Sequence, residues 1–456
     1  MNQVSPLRNH RHLSVAGLQT MIDNEDIDTV IVGFTDMQGR LQGKRMHAAY
    51  FADQVLSHGT EGCNYLLAVD IEMNTVDGYE ISSWDTGYGD MMFRLDPDTL
   101  RLLPHQPGTA MVQCDLTWLD GAPVSESPRT ILKHQLDRAA DLGYQVLAGT
   151  ELEFIVFDTS YPDAWRQGYR DLEPATSYNV DYSILGTTAV EPLLREIRNA
   201  MYGAGLDVES AKGECNPGQQ EIGFRYADAL ITADNHVVYK TAAKQIAAQH
   251  DRSITFMAKY NEREGNSCHI HLSLRGTDGR TVFWDNGRTD LYDRFIAGAL
   301  ATIVDFSLFY APNINSYKRF TDRSFAPTAI GWGTDNRTCA VRLVGEGGSA
   351  RLENRVPGGD VNPYLALAAM VAGGLYGIEH DLPLPPEVAG NAYRSGLPRF
   401  PHTLSSARDA FTRSAIAREV FGDDVVDHYT NMADVELAAF ESAVTDWELR
   451  RGFERM

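Results

Sequence analysis

The chain has 456 residues, 43% hydrophobic and 22% charged, which is enough for two or three domains around a large core. Its formal net charge of -22 disfavours a nucleic-acid partner and an anionic membrane surface, and it leaves the choice of a small substrate open. Cys63, Cys114, Cys215, Cys268 and Cys339 are scattered, odd in number and form no C-x-x-C pair, which points to a reducing cytosol.

Residues Met1 to His12 are polar and basic and lack the apolar segment of a signal peptide. Leu13 to Asn24 reads as a short helix with Ser14 as its N-cap, and Asp28 to Phe34 as a strand. The strand runs into a glycine-punctuated loop, Thr35 to Arg45, whose spacing does not match a phosphate-binding P-loop. Asp36 and Gly39 fit a hairpin turn there. A turn-rich region follows, with a strand at Thr109 to Leu116. The stretch Asp120 to Pro128 reads as a linker, and Pro128 to Leu142 as a helix capped by Ser127. This predicts one domain over residues 1–122 and a second over 123–456.

Beyond the linker, helices and strands mix. Val190 to Ala204 and Asp234 to Asp251 have helical periodicity. Leu206 to Ser210, Glu221 to Arg225, Ser253 to Met257, Ser267 to Leu274 and Ala350 to Val356 read as strands. The apolar run Phe295 to Tyr310 is too short for a bilayer and reads as a core helix. Helices are predicted at Pro363 to Gly377 and Ala433 to Arg450. No internal repeat of solenoid length occurs.

The most informative stretch is Gly149 to Phe157. Its apolar content predicts a buried strand, yet Glu151 and Glu153, two apart, share a face. Paired buried carboxylates repel and resist leaving water, and a hard divalent cation such as Mg²⁺ or Mn²⁺ compensates them. Three further groups are candidates for the same site. Glu214 and Glu221 bracket a Pro217-Gly218 turn, His269 and His271 share a strand face, and Arg351, Glu353 and Arg355 share another. Cationic segments around Arg319, Arg337 and Arg342 add guanidinium groups suited to carboxylates and phosphates. Metal-binding carboxylates beside arginines point to phosphoryl transfer from a metal-nucleotide.

Seven motifs in order resemble the bacterial type of glutamine synthetase. They are Phe34-Thr-Asp-Met-Gln-Gly39, Glu151-Leu-Glu-Phe154, Pro217-Gly-Gln-Gln-Glu221, His269-Ile-His-Leu-Ser273, Asn315-Ser-Tyr-Lys-Arg319, Asp335-Asn-Arg337 and Asn362-Pro-Tyr364. The resemblance implies an α+β fold: an N-terminal β-grasp domain and a catalytic domain built on an antiparallel sheet with surrounding helices. It also implies a homo-oligomer, a dodecamer of two hexameric rings with sites between neighbouring subunits. The implied substrates are ATP and glutamate, with two or more Mg²⁺ or Mn²⁺ ions. Glu153, Glu214 and Glu221 resemble the ligands of one metal, and Glu151, His269 and Glu353 those of the other. Gly265, Arg319 and Arg355 resemble glutamate contacts, and Arg337 the residue beside the transferred phosphate. Arg342, Arg351, His271, Ser273 and Glu209 resemble nucleotide contacts. Asp36 resembles the aspartate that binds and deprotonates ammonium.

One motif departs. Phe325 precedes Ala326-Pro327 where the ammonia-using enzymes carry a glutamate, and an aromatic ring cannot accept a proton from ammonium. The loop is similar to that of enzymes that glutamylate larger amines, notably γ-glutamylpolyamine synthetases. The expected activity is an ATP-dependent ligase joining the glutamate γ-carboxylate to a polyamine. Alternatives are a γ-glutamylethanolamide synthetase, an ammonia-using glutamine synthetase, and a non-catalytic structural or regulatory homologue, which the full set of metal-ligand candidates disfavours.

Overall fold

The computed structural model describes residues 13–456, so the polar stretch 1–12, read above as lacking a leader, lies outside it. Two sheets organise the chain. The first contains β1 (Thr29–Thr35), β2 (Leu41–His47), β3 (Thr60–Cys63), β4 (Asp90–Leu102) and β5 (Thr109–Thr117), in the order β2-β1-β5-β4-β3. β1 and β5 are parallel at its centre, and the other pairings are antiparallel. Val30, Val32 and Phe34 of β1 are buried, because alternate positions of this β-branched segment face the core.

The second sheet is built on β6 (Tyr144–Phe157), a 14-residue strand. Around it lie β7 (Val208–Gly213), β8 (Gln219–Phe224), β9 (Ala227–Asp228), β10 (Ser253–Thr255), β11 (Cys268–Gly276), β12 (Trp332–Thr334), β13 (Val341–Val344) and β14 (Arg351–Asn354). The path is β12-β13-β14-β11-β6-β8-β7, with β9 and β10 also paired to β6. The α+β architecture therefore holds, with one difference from an all-antiparallel catalytic sheet: β12 and β13 are parallel.

Helices cover the sheets. Pro363–Glu379 is buried almost all round, as its nearly continuous apolar sequence requires. It packs on Asp290–Thr302 so closely that a Cβ on Gly298 would lie 2.2 Å from the Gly373 carbonyl oxygen. Ser14 caps the first helix by accepting from the Gly17 N–H at 3.0 Å. Ser127 precedes the helix Pro128–Asp141, but its side chain makes no capping bond.

Two helix expectations are corrected. The run Phe295 to Tyr310 is not one helix: it breaks after Thr302 and resumes at Ser307–Tyr310, with Asp305 between them accepting from Ser414 Oγ at 2.8 Å. A charged residue inside an apolar run found a polar partner at the break. The terminal helix begins earlier, at Asp423, and ends at Ser442; Asp446–Gly452 is a separate helix started by a Thr445/Glu448 capping box. No helix among the described residues is long and apolar enough to cross a membrane.

Candidate active site

Strand pairing turns the scattered acidic and basic residues into one row. Lys212 stands opposite Glu221, and Glu221 opposite Glu153. Glu151, on the same face of β6 as Glu153, stands opposite His269. His271 stands opposite Glu353, and Glu353 opposite Arg342. Each side chain faces the row because the strands alternate, and the row is continuous because the register is fixed.

Glu153, Glu214 and Glu221 each bring one carboxylate oxygen within 4.8 Å of the others. Glu153 is already oriented: it accepts from the Ser267 N–H at 2.7 Å, from Ser267 Oγ at 2.6 Å and from Gln219 Nε2 at 3.1 Å. Burial and the neighbouring Glu153 push Glu214 up to about 7. Burial, with Glu151, Glu153 and Glu214 nearby, pushes Glu221 up to about 8. Among the described residues the cation ion-paired with them is Lys212, whose ammonium bonds Glu214 and lies 3.4 Å from Glu221.

At the second cluster, Glu151, His271 and Glu353 offer ligand atoms within 4.8 Å of one another. His269 Nδ1 also lies 3.5 Å from both Glu151 and Glu353, so either histidine can complete this set. Burial and the nearby Arg355 pull His269 down, which favours the neutral ring that ligates metals. Burial works against the charge on Glu353, but His269, Arg355 and His271 overcome it and hold the carboxyl below the ordinary range. Both donor sets fit hard divalent cations: oxygen-rich, mutually repelling, and in the first case held by a lysine standing in for a metal.

Arginines flank the row. Arg342 donates to Glu353 at 2.8 Å and also binds Asp335. Arg355 bonds Glu353, and its Nε is buried without a hydrogen-bond partner among the described residues, a donor left for an anion. Arg351 donates to His271 Nδ1 at 3.2 Å. Arg319 is buried and donates to the backbone carbonyls of Val356 (2.7 Å) and Arg355 (3.1 Å), so it braces the Arg355 segment. Gly265 packs beside it; a Cβ there would lie 2.2 Å from the Ala258 carbonyl oxygen. Ser273 lies two residues beyond His271 on the same face of β11. Arg337 and Glu209 are exposed.

Phe325 is 57% exposed in a left-handed backbone conformation (φ +59°). Its carbonyl oxygen accepts from Arg355 Nη2 at 3.4 Å, which ties the loop to Glu353 through one guanidinium. Asp36 is not brought to the row. Its buried carboxylate accepts from the Gln38 and Arg40 N–H groups, from Arg40 Nε at 2.7 Å and from Gln42 Nε2.

Sequence reasoning missed Lys212, Ser267 and Gln219. Lys212 carried a signal: it stands two residues before Glu214, on the same side of an extended segment. Gln219 lay inside the Pro217-to-Glu221 motif without a role assigned, and Ser267 carried no signal; the roles of both arise from strand neighbours.

This constellation defines a metal-dependent phosphoryl-transfer ligase, and the chain belongs to the glutamine synthetase family. The family's catalytic domain, described as "Glutamine synthetase, catalytic domain", matches residues 125–452. Its members use ATP and divalent metal ions to form an amide at the γ-carboxylate of glutamate. Within it the chain is similar to enzymes that take amines other than ammonia. It is 62% identical to γ-glutamylethanolamide synthetase GlnA4 of Streptomyces coelicolor over 445 residues, 97% of this chain and 96% of that one. It is 38% identical to the glutamate–isopropylamine ligase of a Pseudomonas species, over 95% of this chain and 96% of the relative. A solved GmaS–ADP complex superposes with a TM-score of 0.84 at 27% identity, covering 96% of this chain and 99% of the other.

Proposed function

We propose that the chain is a γ-glutamylethanolamide synthetase: an ATP-dependent ligase joining the glutamate γ-carboxylate to the nitrogen of ethanolamine. The observation that carries this reading is the exposed Phe325, tied by its backbone to Arg355 and hence to Glu353, where an ammonia-using enzyme presents a carboxylate. An aromatic ring at that rim packs on an alkyl segment or faces a cation, and it removes the charge that holds ammonium. The 62% identity to a γ-glutamylethanolamide synthetase supports ethanolamine over the polyamine expected from the loop alone.

The reaction has two steps. A γ-carboxylate oxygen of glutamate attacks the γ-phosphorus of ATP, forming a C–O–P linkage as the bond to ADP breaks. The amine nitrogen then attacks the acyl carbon, phosphate leaves, and the nitrogen releases a proton. In this reading Glu153, Glu214 and Glu221 hold one divalent ion, and Glu151, His269 and Glu353 the other. When bound, the ions supply positive charge to the transferring phosphoryl oxygens. Arg337 flanks that group, Gly265, Arg319 and Arg355 receive glutamate, and Arg342, Arg351, His271, Ser273 and Glu209 receive the nucleotide. Converging fixed cations of this kind hold two anionic substrates in line. Asp36, remote from its own chain's row, accepts the amine proton in a neighbouring subunit's site, with residues 1–122 as the domain that closes it. A double-ring dodecamer in the cytosol completes the proposal.

The test is phosphate release from ATP and glutamate with ethanolamine, putrescine, cadaverine, spermidine, spermine or ammonium, with product masses. Ethanolamine as the best substrate supports the reading. A polyamine as the best substrate keeps the chemistry and replaces the amine. Ammonium matching the best organic amine overturns the role of Phe325. Phe325→Glu is expected to raise kcat/KM for ammonium relative to ethanolamine by about tenfold, roughly 1.4 kcal/mol of transition-state stabilisation.

A further inference from the structure

Residues 390–400 lie as a strap across two loops of the candidate site. On one side the strap holds the turn that carries Arg337. Asn336 Nδ2 donates to the Gly390 carbonyl oxygen at 2.7 Å, and the Ala392 N–H donates to Thr338 Oγ1 at 2.9 Å. On the other side it holds the loop 320–328, which carries Phe325. The Ile330 N–H donates to the Pro398 carbonyl oxygen at 2.8 Å, Arg399 donates to Thr328 Oγ1 at 2.6 Å, and Phe400 packs on Phe320 with ring centroids 4.8 Å apart. These contacts fix the two ends of the loop.

Its middle is held at two consecutive carbonyls. Arg355 Nη2 donates to the Phe325 oxygen at 3.4 Å, and the Tyr393 hydroxyl donates to the Ala326 oxygen at 3.0 Å. The second bond is the shorter and is buried: Ala326 is 2% and Tyr393 8% exposed, against 57% for Phe325. Pro327 brings no N–H, so the carbonyl is the one polar group by which the Ala326–Pro327 peptide can be held, and Tyr393 takes it. Tyr393 is itself placed locally. It stands in the short 3₁₀ turn Ala392–Arg394, where its N–H donates to the Asn391 side chain at 3.0 Å. Burial pushes its phenol up, so the hydroxyl remains a donor.

The loop needs this support. Arg323 and Phe325 are both left-handed, at φ +66° and +59°. Bulky residues hold that conformation only where their surroundings over-determine it. A hydrogen bond on each of two successive carbonyls does so here, and it fixes the direction in which the Phe325 ring leaves the backbone.

We infer that Tyr393 is a positioning residue of the ligase: by holding the Ala326 carbonyl it keeps Phe325 at the amine entrance and the acyl phosphate covered from water. The inference rests on the role proposed above for Phe325. Without the tether the loop opens and the amine binds more weakly. Water then attacks the acyl carbon in its place, phosphate leaves, and glutamate is regenerated, so ATP is cleaved with no amide formed.

Tyr393→Phe keeps the ring and removes the donor. Turnover is measured with ethanolamine, glutamate and ATP each varied, counting both phosphate and γ-glutamylethanolamide. The KM for ethanolamine is expected to rise at least about fivefold and the phosphate released to exceed the amide formed, while the KM for ATP stays unchanged. The same substitution is then made beside Phe325→Ala, where its effect on the amine KM should be largely lost, because both act through one ring. Phe325→Ala with wild-type amine preference would overturn the role of Phe325 and this inference with it. If Phe325→Ala alters the preference but Tyr393→Phe has wild-type amine KM and wild-type coupling, the inference alone fails, even where Tyr393→Phe lowers the unfolding temperature. A Tyr393→Phe effect of full size beside Phe325→Ala overturns it as well.

Discussion

Two buried groups in this molecule each set three carboxylates around a cation, and they come to opposite electrostatic ends. In the first, Arg129 donates to Asp96 (2.6 Å), Asp115 (2.5 Å) and Asp234 (3.1 Å), while Lys133 reaches Asp115 and Tyr364 donates to Asp234 at 2.6 Å. Asp96 and Asp115 belong to the first sheet, Asp234 and Tyr364 to helices over the second, so the guanidinium ties the two halves together. Burial opposes the charge on Asp115, but Arg129 and Lys133 hold that carboxyl below the ordinary range. In the second, the one ion-paired cation among the described residues is Lys212, which reaches Glu214 and Glu221, and these two rise to about 7 and about 8. A planar fork serves three carboxylates separately, whereas an ammonium is a point charge that reaches two. The Arg129 group is complete and structural. The Lys212 group keeps a surplus of negative charge, and that surplus is what a divalent cation takes up.

The largest effect should come from breaking the completed group. Arg129→Leu leaves three carboxylates without their shared partner and is expected to cost about 3–5 kcal/mol, read as a lower denaturation midpoint or loss of soluble protein. Unchanged stability would remove the distinction between the two groups. Next, Glu221→Gln should leave the fold intact, lower metal-dependent turnover by at least about a hundredfold and weaken Mn²⁺ binding in calorimetry. Normal Mn²⁺ binding would take Glu221 out of the ligand set.

A smaller effect is expected from Lys212→Met, which removes the internal counter-ion. The metal-free variant should unfold at a lower temperature and bind Mn²⁺ about tenfold more tightly, because no ammonium competes for Glu214 and Glu221. Weaker Mn²⁺ binding would show that Lys212 supports the metal instead of competing with it. The subtlest effect is on pH. Glu214 and Glu221 titrate above ordinary carboxylates in the folded, metal-free chain, so over roughly pH 5 to 8 the folded state holds protons that the unfolded state has released. Stability without metal should therefore fall as pH rises through that window and level off above it. Saturating Mg²⁺ should abolish the slope, and a metal-free midpoint that rises from pH 5 to 8 would contradict the assignment.

What the sequence determined by itself was local. Alternation alone placed Glu151 with Glu153, His269 with His271, and Arg351 with Glu353, because a strand has a period of two whatever it pairs with. The order of short motifs identified the family, and Phe325 marked the departure from ammonia. Tertiary structure decided which strands meet and in what register: Glu221 against Glu153, His269 against Glu151, Arg342 against Glu353. Only there did Lys212 become the counter-ion of a carboxylate cluster and Ser267 the residue that orients Glu153. Only there did Asp96, Asp115 and Asp234 collect on Arg129. Those outcomes depend on contacts between residues far apart in the chain, and no local period encodes such contacts.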